Sequence, residues 1–593
     1  MAKRSRARKR NPSPSTEPPA ATSTGKGDRS AVTAAPSPGR KWWFRLLLAL
    51  LVPTLLLAGL ESGLRLAGYG YPTSMFLEVE RQGVYGANRQ FGWRFFPRAI
   101  ARSPQFINFP VRKTPGTYRI FVLGASAAFG YPDAAFSFAR YLEVMLKDRF
   151  PEVRFEVINT SMVAINSHVV LPIAKECARY EPDLFIVYLG NNEVIGPYGI
   201  GSSLTRPSGS LGTIRLGIKL RTYRLGQLMQ QIAGNLSGRE NILEKWGGMQ
   251  MFAENEISAD DPRLARVYEF YRQNLLDIRR VATGSGARVI FSTVATNLRD
   301  CAPFAAVHRA DLAEAAAAQW NELFTAGVSA QNRGDWSTAC DRLDAAAALD
   351  DQYADLQYRL ATCLLAAGDT SRAPVHFVRA RELDALRFRA DDRINAIIRE
   401  VAGGNPEAAT ETSVQLVDAV SLLATHATTP PYLPGRDLFY EHVHLTTQGN
   451  YLLARSLWPQ VVAGLPPAIR ARGENDPEPP SLEVCNAELV LTEWNQYQML
   501  TQLRTLLVDH PFTGQLDHDD NLAALDAELA ALRERATPER VQQMYQAYVA
   551  AVARRPDDLL LRINYVALLN TLGNPSAAEL QMQHLLHTQP PLD

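Results

Sequence analysis

The 593-residue sequence predicts an α/β protein: a three-layer α/β/α parallel sheet with added helical repeats and one N-terminal membrane-spanning helix. Three observations predict this architecture. Short apolar runs alternate with helical segments between residues 118 and 295, a pattern typical of a parallel sheet covered by helices on both faces. A 34-residue period recurs later in the chain, and an apolar run near the N-terminus approaches the length of a membrane span.

The N-terminal tail, residues 1–40, is predicted to be disordered. Residues 1–45 contain eleven Lys and Arg against Glu17 and Asp28, a formal charge of +9, so the rest of the chain carries −8. The tail is rich in Pro, Ser, Thr and Ala and cannot bury enough apolar surface to fold. Basic tails also bind nucleic acid, but no basic surface with interleaved aromatic residues accompanies this one. We therefore expect no nucleic-acid partner.

A transmembrane helix is predicted at residues 41–64. Leu46–Leu60 carries no charge and is apolar apart from Thr54, and Trp42 and Trp43 suit the membrane interface. A cleaved signal peptide and a buried helix are the alternatives, but neither an A-x-A site nor a lipobox cysteine is evident. The basic flank predicts a cytoplasmic N-terminus. We expect a single-pass protein of a bacterial inner membrane, with its domains in the periplasm or outside the cell.

The predicted sheet domain is discontinuous, and a predicted linker at residues 65–115 precedes it. Its first part covers residues 116–305, and its second part covers residues 401–465. Predicted strands lie at residues 118–123, 155–159, 183–190, 287–295 and 413–420. Because sites in parallel sheets form at the carboxyl ends of strands, the residues just past the first three strands are candidates for a functional site: Ser126, Ala164 and Asn192.

Helical repeats are predicted at residues 306–400, as an insertion into the sheet domain, and at residues 475–593. In the insertion, "NRGDWSTACDRLDAAAALD" and "AAGDTSRAPVHFVRARELD" align at a period of 34, so that Gly334 matches Gly368. In the C-terminal region two prolines also stand 34 residues apart. This period is typical of tetratricopeptide repeats, with ordinary helical hairpins as the alternative. The repeats predict a protein partner.

The candidate chemistry is that of a reactive serine, which needs a base and donors for the oxyanion. Ser126 follows a strand in "GASAAFG", Ala164 lies in the small-residue loop of "VINTSMVAINSH", and Asn192 lies in "YLGNNE". The stretch "LFYEHVHLTTQGN" places Glu441 three residues before His444. Each residue alone has a simpler explanation as a turn, cap or surface residue.

Three other residues compete for these roles. His168 could act as the base, but no carboxylate lies near it in the sequence. His442 stands two residues before His444 and is interpreted as structural. Asp437 could replace Glu441, but its spacing from His444 is wrong. The five cysteines match no metal motif, and we expect buried thiols, with one or two disulfides as the alternative.

The four stretches, in this order, resemble the SGNH (GDSL-type) hydrolase family, and the whole arrangement resembles a membrane-anchored bacterial subgroup that carries tetratricopeptide repeats. The resemblance implies that Ser126 is the nucleophile, His444 the base and Glu441 the group that orients it. It also implies an oxyanion hole of Ser126, Ala164 and Asn192, with no cofactor and no metal. Three residues depart from the family pattern: Ala125 replaces an aspartate, Ala164 a glycine and Glu441 an aspartate.

The expected function is therefore that of a membrane-anchored, extracytoplasmic serine esterase or O-acyltransferase. Its substrate would be an acylated small molecule or glycan, such as an envelope glycan that carries an acyl group. The two alanines at positions 125 and 164 favour an alternative, a catalytically weakened scaffold that binds protein partners through its repeats.

Overall fold

The computed structural model describes residues 38–203, 209–237, 247–403, 413–428, 432–473 and 478–590. Nearly all of the predicted disordered tail lies outside the described residues. The chain divides into two compact units, Met1–Gly63 and Leu64–Asp593. Helix α1, Pro38–Leu66, includes a 25-residue stretch, Trp42–Leu66, that is long and apolar enough to cross a membrane.

A five-stranded parallel sheet forms the centre of the second unit, which confirms the predicted α/β class. Its strands are β4 (Tyr118–Gly124), β5 (Phe155–Asn159), β6 (Leu184–Tyr188), β7 (Arg288–Ser292) and β8 (Val414–Val417). Their order in the sheet is β5-β4-β6-β7-β8, and every pair is parallel. All residues of β4 and β6 are buried, because parallel strands are covered on both faces.

The strand order reverses direction between β4 and β6. The chain passes from β4 to β5 on one side and then crosses β4 to form β6 on its other side. In the register, Val122 of β4 pairs with Asn159 of β5, and Gly124 of β4 pairs with Tyr188 of β6. Loops after the carboxyl ends of neighbouring strands leave a crevice at such a reversal point, where ligands of α/β proteins bind.

Two groups of helices cover the sheet. Helix α3 (Phe138–Arg149) packs against α14 (Thr447–Ala463). Helix α4 (Ser167–Cys177) packs against α7 (Leu264–Gly284), which in turn contacts α12 (Asp392–Gly403). The helices of the sheet domain are α2 (Ser126–Phe129), α3 (Phe138–Arg149), α4 (Ser167–Cys177), α5 (Leu211–Leu220), α6 (Arg224–Ser237), α7 (Leu264–Gly284), α12 (Asp392–Gly403), α13 (Ala419–Ala424), α14 (Thr447–Ala463) and α15 (Pro467–Arg470).

Residues 65–115, predicted as a linker, contain a three-stranded antiparallel sheet. Its strands are β1 (Phe76–Val79), β2 (Val84–Ala87) and β3 (Asn108–Pro110). These strands are only three or four residues long, so their alternation is too brief to be read from the sequence. Phe76 and Phe109 pack edge to face at 4.9 Å and join the core of the large sheet.

The predicted repeat segments are helical. The insertion consists of α8 (Glu314–Asn332), α9 (Trp336–Ala347), α10 (Ala354–Ala366) and α11 (Ala373–Leu383). Helix α8 packs against α9, and α10 packs against α11. The C-terminal helices are α16 (Leu482–Leu489), α17 (Glu493–Leu507), α18 (His518–Arg535), α19 (Pro538–Arg554), α20 (Leu559–Thr571) and α21 (Pro575–His587).

A buried ion pair joins the insertion to the sheet domain. Arg389 and Asp384 lie just after α11, with Nη2 and Oδ2 3.0 Å apart and both side chains almost fully buried. Arg389 also donates to the carbonyl oxygens of Asn297 and Cys301, at 3.1 and 2.8 Å. Asp384 accepts from the backbone N–H of Phe304 at 3.1 Å. The insertion is thereby fixed to the loop that follows β7.

All five cysteines lie within the described residues, and all are free thiols. Four of them, Cys177, Cys301, Cys363 and Cys485, are buried, and Cys340 is half-buried. The four buried thiols agree with the expectation of buried thiols.

Candidate active site

Ser126 begins helix α2, two residues after β4 ends at Gly124. A Cβ at Gly124 would lie 2.4 Å from the carbonyl oxygen of Tyr188 and 2.3 Å from the Cβ of Ala128, so only glycine permits this close turn. Ser126 is 9 % exposed. Its N–H belongs to the first helical turn, where N–H groups have no partner within the helix. The turn therefore presents a serine and a backbone donor together.

The loop after β5 lies against this turn. Asn159 donates from Nδ2 to the carbonyl oxygen of Ala128 in α2, at 2.8 Å. Its Oδ1 accepts from the N–H of Ser161 at 3.1 Å. Further along the same loop, Ala164 has a φ of +61°, in the left-handed region that favours glycine. The backbone here keeps a glycine-like conformation although the residue is alanine.

Asn192 follows β6 and lies beside the Ala164 loop. Its Nδ2 donates to the carbonyl oxygen of Ile165, the residue after Ala164, at 3.1 Å. Its own carbonyl oxygen accepts from the N–H of Gly196 at 2.7 Å. An amide NH₂ group has two hydrogens. One N–H of Asn192 holds the loop, and within the described residues the other has no acceptor.

Glu193, next to Asn192, is fully enclosed. Its Oε1 accepts from the N–H of Ser167 at 2.9 Å, and its Oε2 accepts from the Ser167 hydroxyl at 2.7 Å. Burial raises the pKa of the Glu193 carboxyl to about 7. Glu193 thus anchors the start of α4, which fixes the Ala164 loop from its far end.

His444 lies in the loop before α14, beside Glu441. The Glu441 Oε1 accepts from His444 twice, from its backbone N–H at 3.1 Å and from its Nδ1–H in a short hydrogen bond. The Glu441 Oε2 accepts from the N–H of His442 at 2.6 Å. The tight loop is closed by a hydrogen bond of 2.8 Å from the N–H of Tyr440 to the carbonyl oxygen of His444. The carboxylate is thus held by the same loop that carries the imidazole.

His442 is the second imidazole on this carboxylate. Its Nδ1 contacts the Glu441 Oε2, without the geometry of a hydrogen bond. Its ring packs edge to face on Phe304 at 5.4 Å, and its carbonyl oxygen accepts from the N–H of Asn297 at 3.0 Å. His442 therefore faces the loop after β7, where it fills space in an aromatic cluster.

Tyr131 links His444 to Ser126. Its ring lies 4.6 Å from the imidazole of His444, measured between centroids. Its N–H donates to the carbonyl oxygen of Ser126 at 3.2 Å. The Nε2 of His444 is buried and makes no hydrogen bond within the described part of the chain. His444 and Ser126 thus share a neighbour, and the ring nitrogen that a base would use is unoccupied.

Burial lowers the pKa of His444 to about 3, so the imidazole is neutral at physiological pH. Because Nδ1 carries the proton donated to Glu441, the lone pair lies on Nε2. The site therefore holds the imidazole in the tautomer that can accept a proton from a hydroxyl.

Asn450 connects the loop that carries His444 to helix α3, a contact that the sequence does not predict. Its Nδ2 donates to the carbonyl oxygen of Leu445, directly after His444, at 3.0 Å. Its Oδ1 accepts from the N–H of Phe138, at the start of α3, at 2.9 Å. It lies six residues after His444 within the quoted stretch, but an asparagine inside a helix gives no sign of such a contact.

The competing residues have other partners. Asp437 contacts Arg299 at 3.3 Å and accepts from the N–H of Gly435 at 3.2 Å, so it belongs to a separate ion-pair cluster. The Nδ1 of His168 lies 3.2 Å from the Nδ2 of Asn274. Burial lowers the pKa of His168 to about 4. Among the described residues, no group of three His, Cys, Asp or Glu could hold a metal ion.

Comparison of the chain with models of known protein families finds no match, and a search of curated proteins finds no significant relative. The function is therefore argued from the residues and their contacts.

Proposed function

We propose that this protein is a membrane-anchored, extracytoplasmic serine esterase or O-acyltransferase of the SGNH type. The observation that carries the proposal is the hydrogen-bonded Glu441–His444 pair, in which the Nε2 of His444 makes no hydrogen bond within the described residues. The imidazole packs on the ring of Tyr131, and the N–H of Tyr131 donates to the carbonyl oxygen of Ser126. A neutral imidazole oriented by a carboxylate is what deprotonation of a serine hydroxyl requires.

In the first half of the proposed reaction, the Ser126 Oγ attacks an ester carbonyl carbon and its proton passes to the Nε2 of His444. Glu441 stabilises the imidazolium that forms. The negative charge develops on the carbonyl oxygen, where the N–H groups of Ser126 and Ala164 and the second N–H of Asn192 can donate. Loss of one such donor costs about 10²–10³ in rate.

The tetrahedral intermediate then collapses. The bond between the carbonyl carbon and the leaving oxygen breaks, and the Nε2 proton passes to that oxygen, which releases an alcohol and leaves an acyl-serine. A second hydroxyl repeats the sequence in reverse. Water gives hydrolysis, and a sugar or other alcohol gives acyl transfer. The acylated substrate would be a small molecule or an envelope glycan.

A scaffold function is the second candidate, and one feature favours it. Ala125 stands where the family has the aspartate that holds the nucleophile loop, and a methyl group cannot form those hydrogen bonds. In that case the helices α8–α11 and α16–α21, proposed as tetratricopeptide repeats, would provide the main activity by binding a protein.

The test is covalent labelling of the full-length chain in detergent with a fluorophosphonate probe, followed by hydrolysis of a chromogenic acetate ester. We expect labelling of wild type and none of Ser126→Ala, with hydrolysis lost in the same variant. Ser161→Ala is the matched control, because Ser161 is a buried serine of the neighbouring loop with an unbonded hydroxyl. Equal labelling and equal hydrolysis in wild type and Ser126→Ala would leave the scaffold function.

A further inference from the structure

Helices α5 and α6 expose an apolar surface. Single exposed apolar side chains are common, but five occur here within 17 residues, each 43–59 % exposed: Leu216, Leu220, Tyr223, Met229 and Ile232. In α6 the apolar residues recur at the spacing of one helix face, which normally packs on a core. Grouped exposure of this kind marks an interaction surface. We call these five residues the α5–α6 patch.

The patch lies close to the end of α1. Helix α1 ends at Leu66, and Tyr69 follows three residues later. The hydroxyl of Tyr69 donates to Gln231 Oε1 in α6 at 2.6 Å, and the N–H of Tyr71 donates to Gln227 Oε1 at 3.0 Å. Three residues span at most about 11 Å. If α1 crosses a bilayer, the point where it leaves the bilayer is therefore next to α6.

A cationic cavity adjoins the patch. It has a volume of about 600 Å³, and Leu216 of the patch also lines it. Among the described residues, five cations line it: Arg94, Lys175, Arg179, Arg215 and Lys219. Two carboxylates oppose them, since Glu176 lines the cavity and Asp277 pairs with Arg215 at 2.6 Å. These described side chains thus give the cavity an excess of three positive charges.

The combination indicates a particular occupant. Helices that lie in a membrane interface present apolar side chains to the acyl boundary and cations to the headgroups, and attraction to anionic lipids strengthens their binding. A protein partner would account for the apolar surface, but not for its position beside the end of the anchor.

We infer that α5 and α6 lie on the bilayer where α1 leaves it, with the α5–α6 patch in the interface and an anionic lipid headgroup in the cationic cavity. This surface is separate from the candidate active site, and the inference rests on the proposed function only in requiring α1 to span the membrane. Docking holds the sheet domain at a fixed height and orientation above the lipid.

The test uses the full-length chain in nanodiscs, with the environment-sensitive fluorophore NBD at Met229→Cys and lipids that carry a doxyl quencher. Leu580→Cys is the matched control, because Leu580 is an equally apolar and 65 % exposed residue on α21. Wild type labelled in parallel gives the background from the native cysteines. In discs of phosphatidylcholine and phosphatidylglycerol, we expect at least twofold stronger quenching at position 229 than at position 580.

The charge requirement is tested in the same discs. In pure phosphatidylcholine discs, quenching at position 229 should be at least twofold lower than in the mixed discs. The double variant Lys175→Glu with Lys219→Glu should show this lower value even in the mixed discs. If quenching at position 229 is the same in both kinds of disc and in the double variant, the proposed headgroup site is wrong. Equal quenching at positions 229 and 580, or a blue-shifted NBD emission without quenching, would overturn the membrane contact and indicate a second chain or another protein.

Two further readouts separate the inference from its premises. Retention of the chain in the discs reports insertion of α1. If the chain is not retained, both the membrane anchor and the inference that depends on it are wrong. Fluorophosphonate labelling of Ser126 in the same discs reports the proposed chemistry, and its failure leaves the quenching result unaffected.

Discussion

Replacement of Glu441 by glutamine tests the proposed catalytic pair most directly. The substitution keeps the size of the side chain and replaces one carboxylate oxygen by an NH₂ group. Both oxygens of Glu441 accept hydrogen bonds, Oε1 from His444 and Oε2 from the N–H of His442. Whichever way the amide is turned, its NH₂ group faces a donor.

The magnitude follows from these contacts. One buried N–H loses its acceptor, which costs about 1–3 kcal/mol of folding free energy. If the NH₂ group faces His444, Nδ1 becomes an acceptor and the proton moves to Nε2, where it blocks deprotonation of Ser126. If it faces His442, the tautomer of His444 survives but its countercharge is lost. The first outcome costs about 10⁴-fold in kcat, by analogy with aspartate-to-asparagine changes in serine triads.

The assay is hydrolysis of a chromogenic acetate ester, measured as kcat and KM separately with the full-length protein in detergent. We expect a fall in kcat of about 10³–10⁴-fold with little change in KM, because Glu441 contacts the imidazole and not the substrate. Asp437→Asn is the matched control. It removes a carboxylate of the same loop, and this carboxylate contacts Arg299 rather than His444. The kcat of the variant should therefore remain within threefold of wild type, which corresponds to about 0.6 kcal/mol or less in activation free energy.

A Glu441→Gln enzyme that folds, as judged by its circular dichroism and unfolding midpoint, and that retains wild-type kcat would refute the reasoning. The imidazole would then need no carboxylate, and the Glu441–His444 hydrogen bond would be structural.

The remaining predictions concern stability, measured by denaturant unfolding of the full-length chain in detergent. Ala164→Gly should stabilise the fold by about 0.5–1 kcal/mol, because relief of about 1–2 kcal/mol of left-handed strain exceeds the added entropy of the unfolded chain. Arg389→Met should destabilise it by about 3–5 kcal/mol, because Asp384 stays buried without its partner. His168→Gln should weaken the pH dependence of the free energy of unfolding. The pKa of His168 is about 4 in the folded state against about 6.5 unfolded, so stability falls as pH drops through this window. When the pH is lowered from 6.5 to 4.5, the free energy of unfolding of the variant should fall by about 2–3 kcal/mol less than that of wild type.

Each stability prediction has its own control or contrary result. Ala125→Gly is the control for Ala164→Gly, because Ala125 has an unstrained φ of −104°, and this substitution should destabilise the fold. If both substitutions stabilise the fold, strain at Ala164 is not the cause. Arg372→Met breaks an exposed pair with Asp344 and should cost less than about 1 kcal/mol; equal losses in the two arginine variants would contradict the role of burial. Parallel pH curves for wild type and His168→Gln would show that His168 protonates freely in the folded protein.

The local pattern of the sequence was sufficient to predict the parallel sheet. Each of the five strands is an apolar run bounded by turns or polar residues, and the helices between them show the spacing of residues that cover a sheet. The predicted bounds differ from the structure by up to three residues, because strand pairing ends before the apolar run does, as after Tyr188. The N-terminal helix was predictable for the same reason, since length and composition alone define it.

The three short strands of residues 65–115 and the role of Asn450 were not predictable. Strands of three or four residues carry too little periodicity, and Asn450 acts through a partner, Phe138, that is 312 positions away. Such contacts are set by how α3 and α14 pack, and no local signal encodes them. The pairing of Asp384 with Arg389 at the base of the insertion depends on tertiary packing in the same way.

The sequence alone therefore determined the fold class and the chemical types available for a site, because the apolar runs, their lengths and the order of Ser126, Asn192 and His444 are properties of the chain. Only the tertiary structure decided which of these groups are neighbours. The reversal of strand order places β4 and β6 side by side and parallel, so the loops that carry Ser126 and Asn192 leave neighbouring strands at the same edge of the sheet. The imidazole of His444, 318 positions after Ser126, packs on the ring of Tyr131, whose N–H donates to the carbonyl oxygen of Ser126. Burial of an imidazole against a distant aromatic ring is a long-range packing event, which no local pattern of the sequence encodes.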